Sequence, residues 1–227
     1  MPKRPWEKIG EGVWLKSFPL SLLGTRIGRT VTAFQLDSGD AIVHSTAPFL
    51  EDDVLFLRQL GNRLHILEAT CFHDTFTQQA IKAIPEALIY IPESFPLKEG
   101  IFKSIDELAK ITDGILEMIP VGGMPKVNET AVYDPGNRLL VISDLLFNFG
   151  SDTDKWTLLF FRLAAGIKAY PGMSRLFRMM IRDRLAFQAS IDRLRALDYD
   201  KLVLAHGEVI TSGAKNAFDK ALNQHGY

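Results

Sequence analysis

The chain has 227 residues, enough for one α/β domain with a sizeable core, and its 47% hydrophobic content excludes a disordered polymer. Lys plus Arg number 26 against 27 for Asp plus Glu, so the formal charge of −1 excludes broad attraction to nucleic acid and points to a small-molecule partner. A single cysteine, Cys71, excludes an internal disulfide and suits a reducing, cytoplasmic setting.

The basic start, Met1 to Lys8, runs into Ile9-Gly10-Glu11-Gly12 rather than an apolar stretch, so no signal peptide is expected. No run of about 18 apolar residues predicts a spanning helix. Residues 13–15 and 30–36 are β-rich, and Asp37-Ser38-Gly39-Asp40 is a hairpin turn that pairs 41–44 back onto them. His44 closes that strand and is expected to be a hydrogen-bonded structural histidine, or to touch a site from behind its ligands. Residues 51–60 have helical spacing and stop at Gly61-Asn62.

A strand at 64–67, a helix at 78–84 and a strand at 88–91 follow, the last closed by Pro92; this alternation predicts crossovers and an α/β sandwich. Residues 94–123 are expected to be irregular, with a short helix at 105–110 begun by Ser104 and a strand at 116–121. A hairpin over 129–143 turns at Asp134-Pro135-Gly136-Asn137. Residues 151–198 read as a helical region broken at Pro171-Gly172. A strand at 199–204 and a helix at 215–222 end the chain.

Three strands end in a polar group: the loop Cys71-Phe72-His73-Asp74-Thr75-Phe76, then Ile142-Ser143-Asp144, then Leu204-Ala205-His206-Gly207. If the strands are neighbours, His73, Asp144 and His206 converge where α/β folds carry chemistry. Two imidazoles and one carboxylate suit one divalent cation, Zn, Fe(II) or Mn, with positions left for water and substrate. Asp144 has a second reading as a helix or turn cap. Asp74 is a candidate general base or fourth ligand. Cys71 is a candidate thiolate ligand or catalytic nucleophile activated by His73, with a second reading as a small buried hydrophobe. Arg182 and Arg184 are candidates for holding an acidic substrate.

The order of these motifs resembles the metallo-β-lactamase fold superfamily, and Ile42-Val43-His44-Ser45-Thr46-Ala47-Pro48, residues 141–148 and residues 204–210 resemble a divergent branch of it. The resemblance implies an αββα sandwich as a single domain over 1–227, with 151–198 as a helical insertion. It also implies a metal-binding His-x-His-x-Asp-His loop, which here is degenerate: Cys71 stands for the first His, His73 matches the second, and Thr75 and Phe76 replace the Asp and the third His. No histidine lies between Asp74 and Asp144, which argues against a complete dinuclear site. Three functions stay open: a mononuclear metal-dependent hydrolase of a small ester, thioester, lactone or phosphoester; a metal-free binding or scaffold protein of the same fold; and an iron redox protein.

Overall fold

The computed structural model describes residues 5–97, 99–112 and 114–227. Its strands follow the β-rich runs. β1 (Glu7–Gly10) and β2 (Val13–Phe18) lead into a small hairpin of β3 (Ser21–Leu22) and β4 (Thr25–Arg26). Next come β5 (Arg29–Gln35), β6 (Ala41–His44), β7 (Leu64–Leu67), β8 (Leu88–Ile91) and β9 (Phe102–Ser104). With the hairpin set apart, these strands form a seven-stranded sheet in the order β1-β2-β5-β6-β7-β8-β9. The β5–β6 pair is antiparallel, whereas β6 to β9 run parallel. Parallel neighbours need crossovers, and α1 (Glu51–Leu60) and α2 (Thr77–Ala83) supply the first two.

A four-stranded sheet holds β10 (Glu117–Pro120), β11 (Thr130–Asp134), β12 (Leu139–Ile142) and β13 (Lys201–Leu204) in that order, with β12 and β13 parallel. Between those two strands run α4 (Lys155–Leu163), α5 (Arg175–Met179) and α6 (Arg184–Ala196), after an earlier α3 (Ile105–Ile111); α7 (Ala214–Asn223) ends the fold.

The two-residue period of the strands sorts their side chains into three cores. On β6, Ala41 and Val43 face α1, while Ile42 joins Leu67, Val132, Val141 and Val203 between the sheets. On β12, Leu140 and Ile142 face the other way, against Phe187, Ile191 and Phe218 of α6 and α7. Helix, sheet, sheet, helix is the resulting layer order, the αββα sandwich expected.

Two details depart from the expectation. Phe102–Ser104 is a strand inside the stretch read as irregular, paired with β8 through backbone bonds rather than an apolar pattern of its own. The helical region is three helices, each begun by its own cap: Asp154 accepts from Thr157 N, Ser174 from Phe177 N, and Asp183 from Leu185 N and Ala186 N. No described helix is long and apolar enough to cross a membrane.

Candidate metal centre

The sheets meet so that the exits of β7, β12 and β13 share one end of the sandwich. Thr30 N donates to the Ala205 carbonyl (2.8 Å) and Ser45 N to the Leu67 carbonyl (2.8 Å), binding these exits to β5 and β6. His73, Asp144 and His206 come together there, all buried, each offering a ligand atom within 4.8 Å of the others. Asp144 Oδ1 lies 3.4 Å from His73 Nε2 and 3.4 Å from His206 Nε2. The imidazole rings stand 5.7 Å apart at 79°.

These spacings fit an ion better than they fit a hydrogen-bonded triad. A tetrahedral cation with bonds of about 2.0–2.1 Å has ligand-to-ligand edges of about 3.4 Å. His73 Nε2 and Asp144 Oδ2 are buried without a hydrogen-bond partner. Buried polar atoms are normally partnered, so these two leave lone pairs of the kind a cation takes up.

The groups behind the ligands orient them. His206 Nδ1 contacts the Gly28 carbonyl at 2.6 Å. A carbonyl only accepts, so Nδ1 carries the proton and Nε2 is the free lone pair. His73 Nδ1 meets Ser45 Oγ at 3.0 Å, and that hydroxyl accepts from Arg29 Nη1 at 2.7 Å. Burial, with the Arg29 charge behind it, pushes His73 down to about 3 against the pull of Asp144, so its imidazole is neutral at physiological pH. Burial also lowers the Arg29 guanidinium from its ordinary value, opposed by Glu68, Asp144 and Asp74. For Asp144, burial acts upward, but His73 and His206 outweigh it and hold the carboxyl well below the usual range.

Two buried carboxylates brace the loops. Glu129 accepts from Ser143 N at 2.8 Å and Asp144 N at 3.0 Å, tying the β12 exit to the start of β11. Burial and then the Asp144 charge push it up to about 8. Glu68 accepts from Thr46 Oγ1 and Thr77 Oγ1, joining the β6 and β7 exits to α2. Gly207 has φ +100, and a Cβ there would stand 2.0 Å from the Asn148 carbonyl oxygen. The glycine after His206 thus admits neighbouring backbone, with Glu208 N donating to that same carbonyl.

Among the described residues the ligand group does not include Cys71 or Asp74. Cys71 Sγ points at the Glu93 carbonyl, 3.7 Å away, and burial raises its thiol. Asp74 begins a 3-10 turn, Asp74–Phe76, that carries Thr75 and Phe76 past the site into α2. Arg182 and Arg184 are exposed on either side of the Asp183 cap. His44 is fully buried with neither ring nitrogen partnered, which corrects the expected hydrogen-bonded histidine; burial and then Arg29 push it down to about 4.

Arg29, Ser45, Glu129 and Phe147 escape a reading of the sequence alone. Ser45, directly after a strand, is marked by its exit position, where it takes φ +74; the others act across long chain separations. Phe147 stacks on His206 at 5.4 Å and 9°, and Phe177 packs on Phe147 and on Phe72, closing an aromatic roof over the ligands.

Solved structures similar to this chain include metallo-β-lactamases. One from Erythrobacter litoralis, with β-mercaptoethanol in its active site, is 14% identical over 98% of this chain and 96% of its own, with a TM-score of 0.66. A mono-zinc form of an enzyme from the same organism is 15% identical over 98% and 96%, with a TM-score of 0.61. One from Pontibacter korlensis is 14% identical over 97% and 99%, with a TM-score of 0.60. The chain has the metallo-β-lactamase fold. No protein-family model and no curated protein matches it.

Proposed function

We propose that the chain is a mononuclear metal-dependent hydrolase of a small ester, thioester, lactone or phosphoester. The observation that carries this reading is the buried trio His73, Asp144 and His206, with two 3.4 Å edges and orphaned lone pairs. A divalent cation held by these three would lower the pKa of a bound water and polarise a carbonyl or phosphoryl group.

The protein's own contribution is positioning. Gly28 and Ser45 fix the two imidazoles with Nε2 inward, and Glu129 anchors the backbone that presents Asp144. Phe72, Phe147 and Phe177 keep bulk water away, which strengthens the electrostatics beneath them. A cleft of about 220 Å³ shares Gly28, Arg29 and Gly207 with the wall of the site. It is smaller than the roughly 300–1,000 Å³ of drug-sized pockets, which favours a compact substrate. Asp74, next to His73 at the start of the 3-10 turn, takes the general-base role in this proposal, and Arg182 and Arg184 would steer an acidic substrate.

Metal content of protein purified without added ions tests the ligand set. Near-stoichiometric Zn, Fe or Mn in the wild type, lost in Asp144→Ala and in His206→Ala, is the expected result. Equal metal in all three rejects the ligands. A wild type that binds no divalent ion on titration, yet keeps a small ligand in the cleft, establishes the metal-free binding protein instead.

A further inference from the structure

The inserted helices carry features that the metal centre does not use. Residues 155–184 hold seven Lys or Arg and one acidic residue, Asp183, in a chain of net charge −1, which leaves −7 on the rest. Helix α4 buries Thr157 and Phe161 against the body, yet on its opposite side Trp156, Leu159 and Leu163 are exposed, Leu163 by 66%. These three fall at i, i+3 and i+7, so they form one stripe. A helix apolar on both faces expects an apolar environment on both.

The stripe extends at either end. Leu22 and Leu23 sit exposed at the tip of the β3–β4 hairpin, which is pinned to α4 by Arg26 N donating to Thr157 Oγ1 at 2.8 Å. At the other end Arg175 N donates to the Ala165 carbonyl, seating α5 beside the end of α4 with Leu176 and Met179 exposed. Between α5, the loop that leads into it and the end of α7 lies a cleft of about 430 Å³ lined by Gly166, Lys168, Arg175, Arg178, Gln224 and His225. None of its three cations forms an ion pair or a side-chain hydrogen bond among the described residues, and Arg178 Nε is buried without a partner. The Arg175 guanidinium lies over Gly166, where a Cβ would stand 3.2 Å from Nε.

We propose that the α4–α5 face, with the β3–β4 tip, docks on an anionic membrane surface, its apolar stripe entering the interface and its cleft seating the phosphate of a lipid headgroup. Charge complementarity selects this occupant: the unpaired cations Arg175 and Arg178 alternate along α5 with exposed Leu176 and Met179, the combination that binds acidic interfaces, while the rest of the chain is negative and is repelled from them. The inward residue of α5 is Phe177, part of the roof over the metal centre, so the docked helix is also the one covering the ligands.

Co-sedimentation of the full chain with phosphatidylcholine vesicles, and with vesicles enriched in phosphatidylglycerol, tests the proposal. Binding to the anionic vesicles only, weakened by salt, is expected. The triple change Lys168→Gln, Arg175→Gln, Arg178→Gln removes three charges worth about fivefold each, so partitioning should fall about 100-fold. Leu159→Ser with Leu163→Ser should weaken partitioning while keeping the preference for anionic lipid. Circular dichroism and thermal melts confirm that these surface variants fold. Equal binding to both vesicle types, or undiminished binding by the triple variant, overturns the proposal. So does a chain that binds neither vesicle: a melting temperature raised by inorganic phosphate in wild type alone then assigns the cleft to a soluble phosphate, and a dimer abolished by the two serines assigns the stripe to a second copy.

Discussion

At the scale of single residues, the site depends on groups that never touch a substrate. Ser45 stands between Arg29 and His73, accepting from the guanidinium and bonding the imidazole Nδ1. Removing its hydroxyl in Ser45→Ala should weaken metal affinity about 10–100-fold, read by chelator competition, and cost about 1–3 kcal/mol because a buried guanidinium loses its acceptor. Ser45→Gly separates chemistry from strain: it relieves the positive φ but still lacks the hydroxyl, so it should lose metal as Ser45→Ala does. Metal affinity restored by glycine would reject the orienting role. Glu68 makes a pH prediction. Burial raises its carboxyl from 4.5 to about 7, against the Thr46 and Thr77 hydroxyls. Below pH 4.5 it is protonated folded and unfolded; between there and 7 only the unfolded state ionises, so stability falls as pH rises through that window and the loss is complete above it. The shift amounts to about 3 kcal/mol. Denaturant melts on both sides of the window should show the stability of Glu68→Gln gaining on wild type by up to that amount at the higher pH. A constant gap would mean Glu68 ionises normally in the fold.

At the scale of elements, the design is a strand whose exit carries a candidate ligand, followed by a backbone contact that fixes the exit. The β13 exit shows it most sharply, since Gly207 packs its bare Cα on the Asn148 carbonyl at φ +100. Gly207→Ala should therefore cost more than about 2 kcal/mol and displace His206, whereas Gly213→Ala, also at positive φ but with nothing within 4 Å, should cost only about 1 kcal/mol. Thermal melts of the pair, with metal content as the second readout, check this. The same contrast explains what could be read beforehand. The convergence of His73, Asp144 and His206 was legible because each follows the end of an apolar strand within a few residues, and the αββα order because strand and helix periods alternate. Glu129 was not legible, since its purpose is to receive two amides 14 and 15 residues downstream. The β3–β4 hairpin and β9 were missed for a related reason: strands of two or three residues carry no period, and their pairing is decided by neighbours. Cys71, two residues before His73, invited pairing with it in extended backbone, but the loop turns the thiol to Glu93 instead.

At the scale of the whole molecule, the three candidate ligands come from different sheets. His73 follows the seven-stranded sheet, and Asp144 and His206 follow the four-stranded one, so an ion on all three would staple the halves of the sandwich together. Because the unfolded chain has no such site, binding free energy becomes folding free energy. At a free-ion concentration of about 1,000 times the dissociation constant the gain is about 4 kcal/mol. For a chain of this length each kcal/mol moves the melting temperature by about 2–4 °C, so saturating metal should raise it by about 10 °C over the chelator-treated protein. Asp144→Ala should lose that increment, and its melting temperature should be the same with ion or chelator. His206→Ala should do likewise, as both remove a ligand from the same sheet. Cys71→Ala should retain the full increment, since its thiol faces away. Differential scanning calorimetry on the four proteins, each with zinc and with chelator, decides the matter: an increment that survives in Asp144→Ala and His206→Ala would place the ion elsewhere, and one that disappears in Cys71→Ala would bring the thiol into the ligand set.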